Sequence, residues 1–346
     1  GGGQTSDVTL KDVSIKSDKD AALKVEGDGN VRLELDGKNE LKSGANHAGV
    51  EKNNSDSKGT LTIKDDTGEK GSLTATGGAQ GAGIGGAKNN SGSNIEITGG
   101  TITATGGCNN NEAGNGGAAG IGGGFNGSGT DIKITGGNVT ANGSQKPDGT
   151  SGCQGAGIGG GYGKGGTNIS ISGEDTVVNA NGGKYGAGIG GGCNGSGNVT
   201  ISGGTVLGLT VGEGATVTIS GGSLHAGQWY NDGTLNITGG TFDSVKFYNR
   251  AGTVAISGGT FGEITNHDAS TIIQPISLLA NGYAFYGRYD NELKDGSVID
   301  ALKNVTVQEH THKIENGKCA CGYVCTHTKD GTSAIENGVT PIDVAF

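Results

Sequence analysis

The residues best suited to chemistry lie close together near the end of the chain. In the stretch HTHKIENGKCACGYVCTH, imidazole and thiol side chains recur at short spacing, at His310, His312, Cys319, Cys321, Cys325 and His327. Thiolates and imidazoles that converge on a short hairpin are the usual ligands of tetrahedral Zn²⁺. The first four of these residues form the predicted zinc site, and the last two are alternative ligands.

Two alternatives to zinc stay open for this tail. The paired cysteines are spaced C-x-C rather than C-x-x-C, and no further cysteine pair follows CTH. A disulfide such as Cys321–Cys325 is therefore the first alternative, and free thiols are the second. All three versions are structural, because a catalytic zinc needs an open coordination position and a placed acid or base, and the sequence indicates neither.

Most of the chain is a repeat that must position any other candidate residue. The string AGIGG occurs at 82–86, 119–123, 156–160 and 187–191. Between these strings runs a template of aliphatic-x-aliphatic-Thr/Ser-Gly-Gly-Thr-aliphatic, which recurs at intervals of 37, then 30, then 18 to 19 residues. A phosphate loop is used once, so glycine strings that repeat at this period indicate a solenoid instead.

Alternation within each unit has a period of two, which predicts strands rather than helices. Residues at the same position of successive repeat units are called residues of the same rank. Those such as Ile97, Ile134 and Ile171 are expected to stack on one another in one interior row, or file. The AGIGG string is expected to form a third short strand of each coil. The predicted fold is all-β: a parallel β-helix of about ten coils over residues 1–270. Parallel crossovers favour a right-handed coil.

Two further segments follow the predicted solenoid. Residues 271–308 are richer in aromatics and poorer in glycine, and are expected to form a small β cap that covers the last coil. Residues 309–346 form the Cys/His-rich tail. The first residues contain no signal-type hydrophobic region and no initiator Met, so we expect a segment of a longer protein.

Composition excludes two classes of partner. The formal net charge is −10, and no Lys/Arg run lies beside aromatics, so no nucleic-acid partner is expected. No stretch approaches eighteen consecutive apolar residues, so the chain is not expected to span a membrane.

Aromatic residues fall at matching ranks of successive coils and are the candidate ligand-binding residues. Phe125 and Tyr162 follow successive IGG corners, with Cys193 at the next, and Tyr230, Tyr248 and His267 follow one another in the last coils. Aromatics aligned on a rigid face can stack against sugar rings. The alternative is a ladder that only stabilises the turns.

The remaining candidate chemistry is sparse. Cys108 and Cys153 fall in the same excursion of adjacent coils and could form an inter-coil disulfide, with separate loop thiols as the alternative. Glu96, Asp131, Asp243 and Glu263 are scattered along the walls and Arg is nearly absent from the coils, whereas polysaccharide cleavage needs two carboxylates at a set separation or a Ca²⁺-and-Arg arrangement on one groove. The chain is therefore not expected to be an enzyme.

Several segments resemble a known family. VRLELDGKNELKS, LTIKDDTGEKGSLTATGG and the AGIGG strings, over about residues 30 to 270, are similar to glycine-rich surface proteins of gut-type Firmicutes that are often labelled carbohydrate-binding domain-containing. ISLLANGYAFYGRYDNELKDGSVIDALKNVTV resembles the sequence that commonly follows such helices. The resemblance implies an exported, cell-wall-associated module of a longer chain.

Three functions are consistent with these features. The first hypothesis is a non-catalytic extracellular module for adhesion or for binding a host or dietary glycan or mucin. The second is a β-helix glycoside hydrolase or lyase, and the third is a passive stalk. Carboxylates clustered in one groove would favour the second, an aromatic surface with polar neighbours the first, and featureless walls the third.

Overall fold

The computed structural model describes residues 3–68, 70–109, 116–145, 154–207, 209–212, 214–225, 228–249, 252–268, 271–273, 275–287 and 302–309, and strand segments at 314–315, 318–319, 325–327 and 333–335. The described residues form ten successive coils of a parallel β-helix, followed by antiparallel strands. This confirms the predicted all-β solenoid. Its right-handed sense stays a prediction.

Nine of the ten coils contribute short strands to three walls, and in the seventh coil the third wall is represented by the isolated bridge of Val211 with Asn231. The first wall consists of Thr5–Lys11, Asn30–Asp36, Leu61–Lys64, Gly92–Ile97, Gly129–Ile134, Gly166–Ile171, the first halves of Gly197–Leu207 and Thr216–His225, Thr234–Ile237 and Thr253–Ile256. The second wall consists of Ser14–Lys16, Lys38–Lys42, Ser72–Thr76, Thr101–Thr105, Asn138–Asn142, Val177–Asn181, the second halves of the same two long strands, Thr241–Phe242 and the start of Thr260–Asp268. The third wall consists of Leu23–Lys24, Val50–Glu51, Ile84–Gly85, Ile121–Gly122, Ile158–Gly159, Ile189–Gly190, Gln228–Asn231, Val245–Asn249 and the end of Thr260–Asp268.

Side chains of matching rank stack down the interior. The parallel register pairs Ile97 with Ile134 and Ile134 with Ile171, and all three are fully buried. Because side chains alternate across a strand, the residue that precedes each of these isoleucines in its strand faces outward, and it is polar. The core is therefore a continuous aliphatic file in which each coil is stabilised by its neighbours.

Coil length rises from 25 residues in the first coil to 37 in the fourth and fifth, and drops sharply after the sixth. Ile134 pairs with Ile171, 37 residues later, whereas Val217 pairs with Leu235, 18 residues later. The third-wall strands of the first six coils form their own six-stranded sheet, which ends at Ile189–Gly190. Coils one to six are called the wide coils below, and coils seven to ten the narrow coils.

Glycine in the third wall is required by close stacking. Gly122 has a φ of 129°, and a Cβ built there would lie 2.1 Å from the carbonyl oxygen of Gly159 in the next coil. L-residues with side chains rarely adopt this φ, and the carbonyl cannot move without breaking the ladder. The AGIGG string is thus a short strand whose Ala and Ile are both buried among glycines that allow tight stacking, as predicted.

Antiparallel strands cover the last coil. Leu302–Glu309 pairs with Thr260–Asp268 and with Tyr283–Tyr286, and Thr271–Ile273 pairs with the end of Thr260–Asp268. A short 3₁₀ helix spans Pro275–Leu278. In the core the Phe261 ring stacks on Phe242 at 4.6 Å between centroids, and Phe285 meets it edge-on at 6.4 Å. These strands pair with an edge that would otherwise be open to other chains.

Two small hairpins follow the cap. Ile314–Glu315 pairs with Lys318–Cys319, and Cys325–His327 pairs with Ser333–Ile335, both antiparallel. Among the described residues, no helix is long and apolar enough to cross a membrane.

One lysine is buried where the third wall of the second coil ends. Lys52 has no exposed surface, and its ammonium donates one hydrogen bond, 3.3 Å long, to the carbonyl oxygen of Ser57. Burial, assisted by the nearby positive charge of Lys58, lowers the pKa of Lys52 from 10.5 to about 8. A charged amine in this position reduces the stability of the fold, because burial disfavours its protonated form.

We expect Gly122→Ala to lower the free energy of unfolding by roughly 2 kcal/mol or more, since it combines an unfavourable φ with a backbone clash. The matched control is Gly163→Asn. Gly163 has a φ of 70° with open space around its Cβ position, and Asn126 and Asn194 hold the same rank in neighbouring coils at 60° and 61°. Thermal denaturation followed by circular dichroism compares the two, and equal melting temperatures would contradict the stacking argument.

Lys52→Met is expected to stabilise the protein at pH 7 by roughly 3 kcal/mol, because a pKa lowered by burial is a cost of keeping the amine charged. The folded-state pKa lies below the unfolded one, so this cost is complete below about pH 8 and falls as the pH rises towards 10.5. Denaturant titrations of wild type and variant should therefore converge over that range. The exposed Lys42→Met is the control, and a Lys52→Met gain that does not change with pH would refute the explanation.

Candidate functional site

A concave site lies where the wide coils give way to the narrow ones. Residues 182–195 form the exposed end of the sixth coil and are called the ledge. The seventh coil takes a shorter path, so Thr210 and Gly212, with Asp232 of the eighth coil, face the ledge across a cavity of about 630 Å³. This volume lies within the range of small-molecule sites.

An exposed aromatic ring marks the ledge. Tyr185 is 59% exposed, the most of any large hydrophobic residue described, and the ammonium of Lys184 lies 5.6 Å from its ring centroid. Tyr185 could not be identified from the sequence, because no aromatic residue occupies the equivalent position of another coil. Gln80 and Gln154 hold that rank in two lower coils, and both are buried. Only the step in circumference makes position 185 exposed.

The first aromatic file predicted from the sequence reaches the same cavity. The rings of Phe125 and Tyr162 stack across neighbouring coils, 6.0 Å apart and 13° from parallel, and both residues are half-buried. Cys193 continues this rank in the sixth coil and lines the cavity. Burial raises the pKa of its thiol, and Cys193 is a free cysteine. The file is therefore a stacked ladder whose upper end is the ledge.

The second predicted file reaches the cavity from the other side. The register places Tyr230 beside Tyr248, and Tyr248 beside His267. Tyr248 is half-buried, with the Lys246 ammonium 5.5 Å from its ring centroid, whereas the side chains of Tyr230 and His267 lie outside the described set. Val211 bridges to Asn231, so Thr210 has the rank of Tyr230 and begins this file at the cavity.

Charged side chains cluster at a second place, on the third wall of the first two coils. The Lys24 ammonium lies 2.5 Å from Glu26, 3.9 Å from Glu51 and 3.7 Å from Asp56. The Glu51 carboxylate is buried, is 2.7 Å from Nδ1 of His47, and accepts from the Asn53 amide. The sequence gives no sign of this cluster, since its members are spread over 33 positions, from 24 to 56. Its charges are mutually paired, which is typical of a structural network.

A paired carboxylate of the first wall illustrates the same principle. Burial raises the pKa of Glu34, but the Lys64 ammonium at 2.7 Å and the backbone N–H groups of Thr67 and Asp66 outweigh it and lower the pKa to about 2. Glu34 thus stays ionised at neutral pH and is held by its partners.

A serine, a histidine and an aspartate meet on the outer face of the second wall. Nδ1 of His225 is hydrogen-bonded to Asp243 in the next coil, and the Ser223 hydroxyl lies 3.5 Å from Nε2. His225 and Asp243 are exposed side chains on a flat wall. Nucleophilic catalysis also needs donors for the developing oxyanion in a water-excluded site, and this wall offers no such enclosure among the described residues. The arrangement resembles a triad in composition only.

The cysteines and the tail are described in part. Cys108 is in a disulfide, and Cys153, its predicted partner, lies outside the described residues, so that pairing stays a prediction. His310, His312 and Cys321 also lie outside them. Cys319, Cys325 and His327 are placed only as strand positions. Within the part of the chain that the structure describes, no group of three His, Cys, Asp or Glu side chains could hold a metal ion.

Comparison with known proteins supports the fold and nothing more specific. Residues 132–162 and 169–193 match a family model described as beta helix repeat. These two matches cover most of the fifth and sixth coils, including part of the ledge. No curated protein and no solved structure matches the chain. The chain is a β-helix repeat protein.

Proposed function

We propose that this protein is a non-catalytic extracellular module that binds glycans of host or dietary origin, and that the ledge is its binding site. The observation that carries the proposal is the exposed Tyr185 ring beside a half-open cavity of about 630 Å³ on a rigid scaffold. An aromatic face with polar neighbours is the usual means of holding a sugar ring, because the C–H face of the sugar packs on the ring while its hydroxyls find partners.

The distribution of charge favours binding over catalysis. Hydrolysis of a glycosidic bond needs a pair of carboxyl groups, one on each side of the bond. Asp232 is the one carboxylate among the described residues that line the cavity. The carboxylates around Lys24 are already paired with its ammonium group. They lie in the first two coils, four coils away from the ledge. These features support a site that recognises a sugar without cleaving it.

Tyr185→Ala is expected to weaken binding of the best ligand on a glycan array by about tenfold or more, since loss of one stacking platform removes on the order of 1.5 kcal/mol. Tyr185→Phe keeps the ring and should retain most of the binding. The double variant of Tyr230 and Tyr248 to Ala tests the second file separately.

Two outcomes would contradict the proposal. Wild-type protein that binds no glycan on the array would remove the function itself. Release of reducing sugar from a polysaccharide that binds, measured in parallel, would replace it with the hydrolase alternative. Melting temperatures of all variants show whether a loss of binding is a loss of fold.

We also propose that the tail holds a structural Zn²⁺ ion, with His310, His312, Cys319 and Cys321 as ligands and Cys325 and His327 as alternatives. Thiolate and imidazole donors suit this ion. The hairpin of Ile314–Glu315 with Lys318–Cys319 supports the proposal, because its register sets Cys319 opposite Ile314, a residue that follows His312 by two positions in the sequence.

About one zinc ion per chain is expected by mass spectrometry of protein purified without chelator, since a closed tetrahedral site binds tightly. Cys319→Ser should lose the metal, whereas Cys193→Ser, which changes a thiol on the ledge, should retain it. Absence of bound metal after loading with zinc, together with oxidised tail thiols, would favour the disulfide instead.

A further inference from the structure

We propose that the ledge recognises a neutral sugar through its main chain, with the sugar hydroxyls taking the place of the seventh wide coil that the helix does not have. This inference rests on the proposed function and specifies its ligand class. It starts from the hydrogen bonds that connect each wide coil to the next.

In the fifth coil, three backbone N–H groups donate to the coil above on the side where the cavity lies. Gly143 donates to the carbonyl oxygen of Asn181 at 2.7 Å, Gly160 to that of Gly190 at 2.9 Å, and Gly163 to that of Cys193 at 3.0 Å. The corresponding donors of the sixth coil are the N–H groups of Gly182, Gly191 and Asn194. None of these three has an acceptor among the described residues, and all three residues line the cavity.

Backbone carbonyl groups on the same side of the fifth coil are also bonded to the coil above, as acceptors. Fifth-coil carbonyl oxygens accept from the coil above: that of Gln154 from Cys193 at 2.9 Å, that of Gly155 from Gly183 at 2.8 Å, and that of Lys164 from Gly192 at 3.0 Å.

The sixth-coil carbonyls at these ranks belong to Tyr185, Gly186 and Gly195. They receive no backbone donor within the described part of the chain, and all three residues line the cavity. The ledge therefore presents three donors and three acceptors in a fixed arrangement.

This mixture selects the chemistry of the ligand. A hydroxyl group both donates and accepts, so a ring with several hydroxyls can satisfy N–H and C=O groups together. An anionic group would satisfy the donors but would face three carbonyl oxygens. The charged side chains at the cavity, Lys184 and Asp232, have opposite sign and provide no net attraction for an anion.

An extended peptide is the competing ligand, since it also offers both kinds of group. A seventh strand on Ile189–Gly190 would have to bury an aliphatic side chain above Ile189, as each AGIGG strand does. Leu209 and Val211 of the seventh coil are each only 2% exposed and belong to the same buried core as Ile189, so the chain itself already supplies apolar side chains at this level. A sugar needs no such interior position, and it can place its apolar face on Tyr185 instead.

Gly212→Leu tests the inference by filling the cavity from the opposite side. Gly212 lines the cavity, and a Cβ there would have one neighbour, the Gly195 carbonyl oxygen at an ordinary 3.7 Å, so the fold should tolerate the change. Calorimetric titration with a panel of neutral oligosaccharides should give at least about tenfold weaker binding for the variant. Thr140→Leu, on the outer face of the second wall, is the matched control and should bind as wild type.

Selectivity between neutral and acidic sugars is measured by titrating the same neutral oligosaccharides and the corresponding oligosaccharides that contain uronic acids. Neutral sugars should bind about tenfold better than acidic ones, with little change between low and high salt. Amide resonances of Gly182, Gly191 and Asn194 should shift on titration of wild type, which keeps the test valid if Gly212→Leu is unstable.

The outcomes separate the two proposals. A preference for acidic sugars at the ledge, or neutral binding that Gly212→Leu leaves intact, would overturn this inference while the glycan-binding function survived. Binding of a synthetic AGIGGG peptide with shifts at the same amides, and no sugar binding, would overturn both.

Discussion

The hydrogen-bond ladder between coils is the constraint on which the rest of the structure depends. Each wall strand pairs in parallel with the strand one coil later, so the separation between coils is fixed by the backbone at about 4.8 Å. Side chains can then differ from coil to coil only if they keep to this spacing. In the third wall the spacing leaves no room for a Cβ at Gly122, and each AGIGG string buries only its Ala and its Ile. Stability accumulates along the stack because no coil is buried by itself.

The narrow coils meet the same constraint with different residues. Where the third wall of glycines ends, Phe242, Phe247 and Phe261 enter the core, each fully buried. A shorter coil with larger side chains encloses a filled interior, and a longer coil with small ones encloses a flattened interior. The ledge is the boundary between these two solutions, which explains why the cavity occurs at this level.

Much of the fold could be predicted because the sequence repeats. Rank within the template identified Ile97, Ile134 and Ile171 as neighbours, and a period of two identified their inward direction. The ledge could not be predicted in this way. Tyr185 has no aromatic counterpart in other coils, and its exposure depends on the path of Thr210 in the following coil, which is a property of two coils rather than of one repeat. The cluster around Lys24 was missed for a similar reason, since its members are distant in sequence and meet only when the coils stack.

The step in circumference has a consequence for how such a molecule can vary. The fourth and fifth coils each repeat after 37 residues in the same strand register, so a unit of this length could be gained or lost below the ledge without altering the surface on which Tyr185 stands. Such a change would move the ledge along the axis by one coil spacing, about 4.8 Å. The position of the ledge along the helix axis and the surface that it presents to a ligand would then vary independently. The number of repeats would set the first, and the coil at which the wide coils end would set the second.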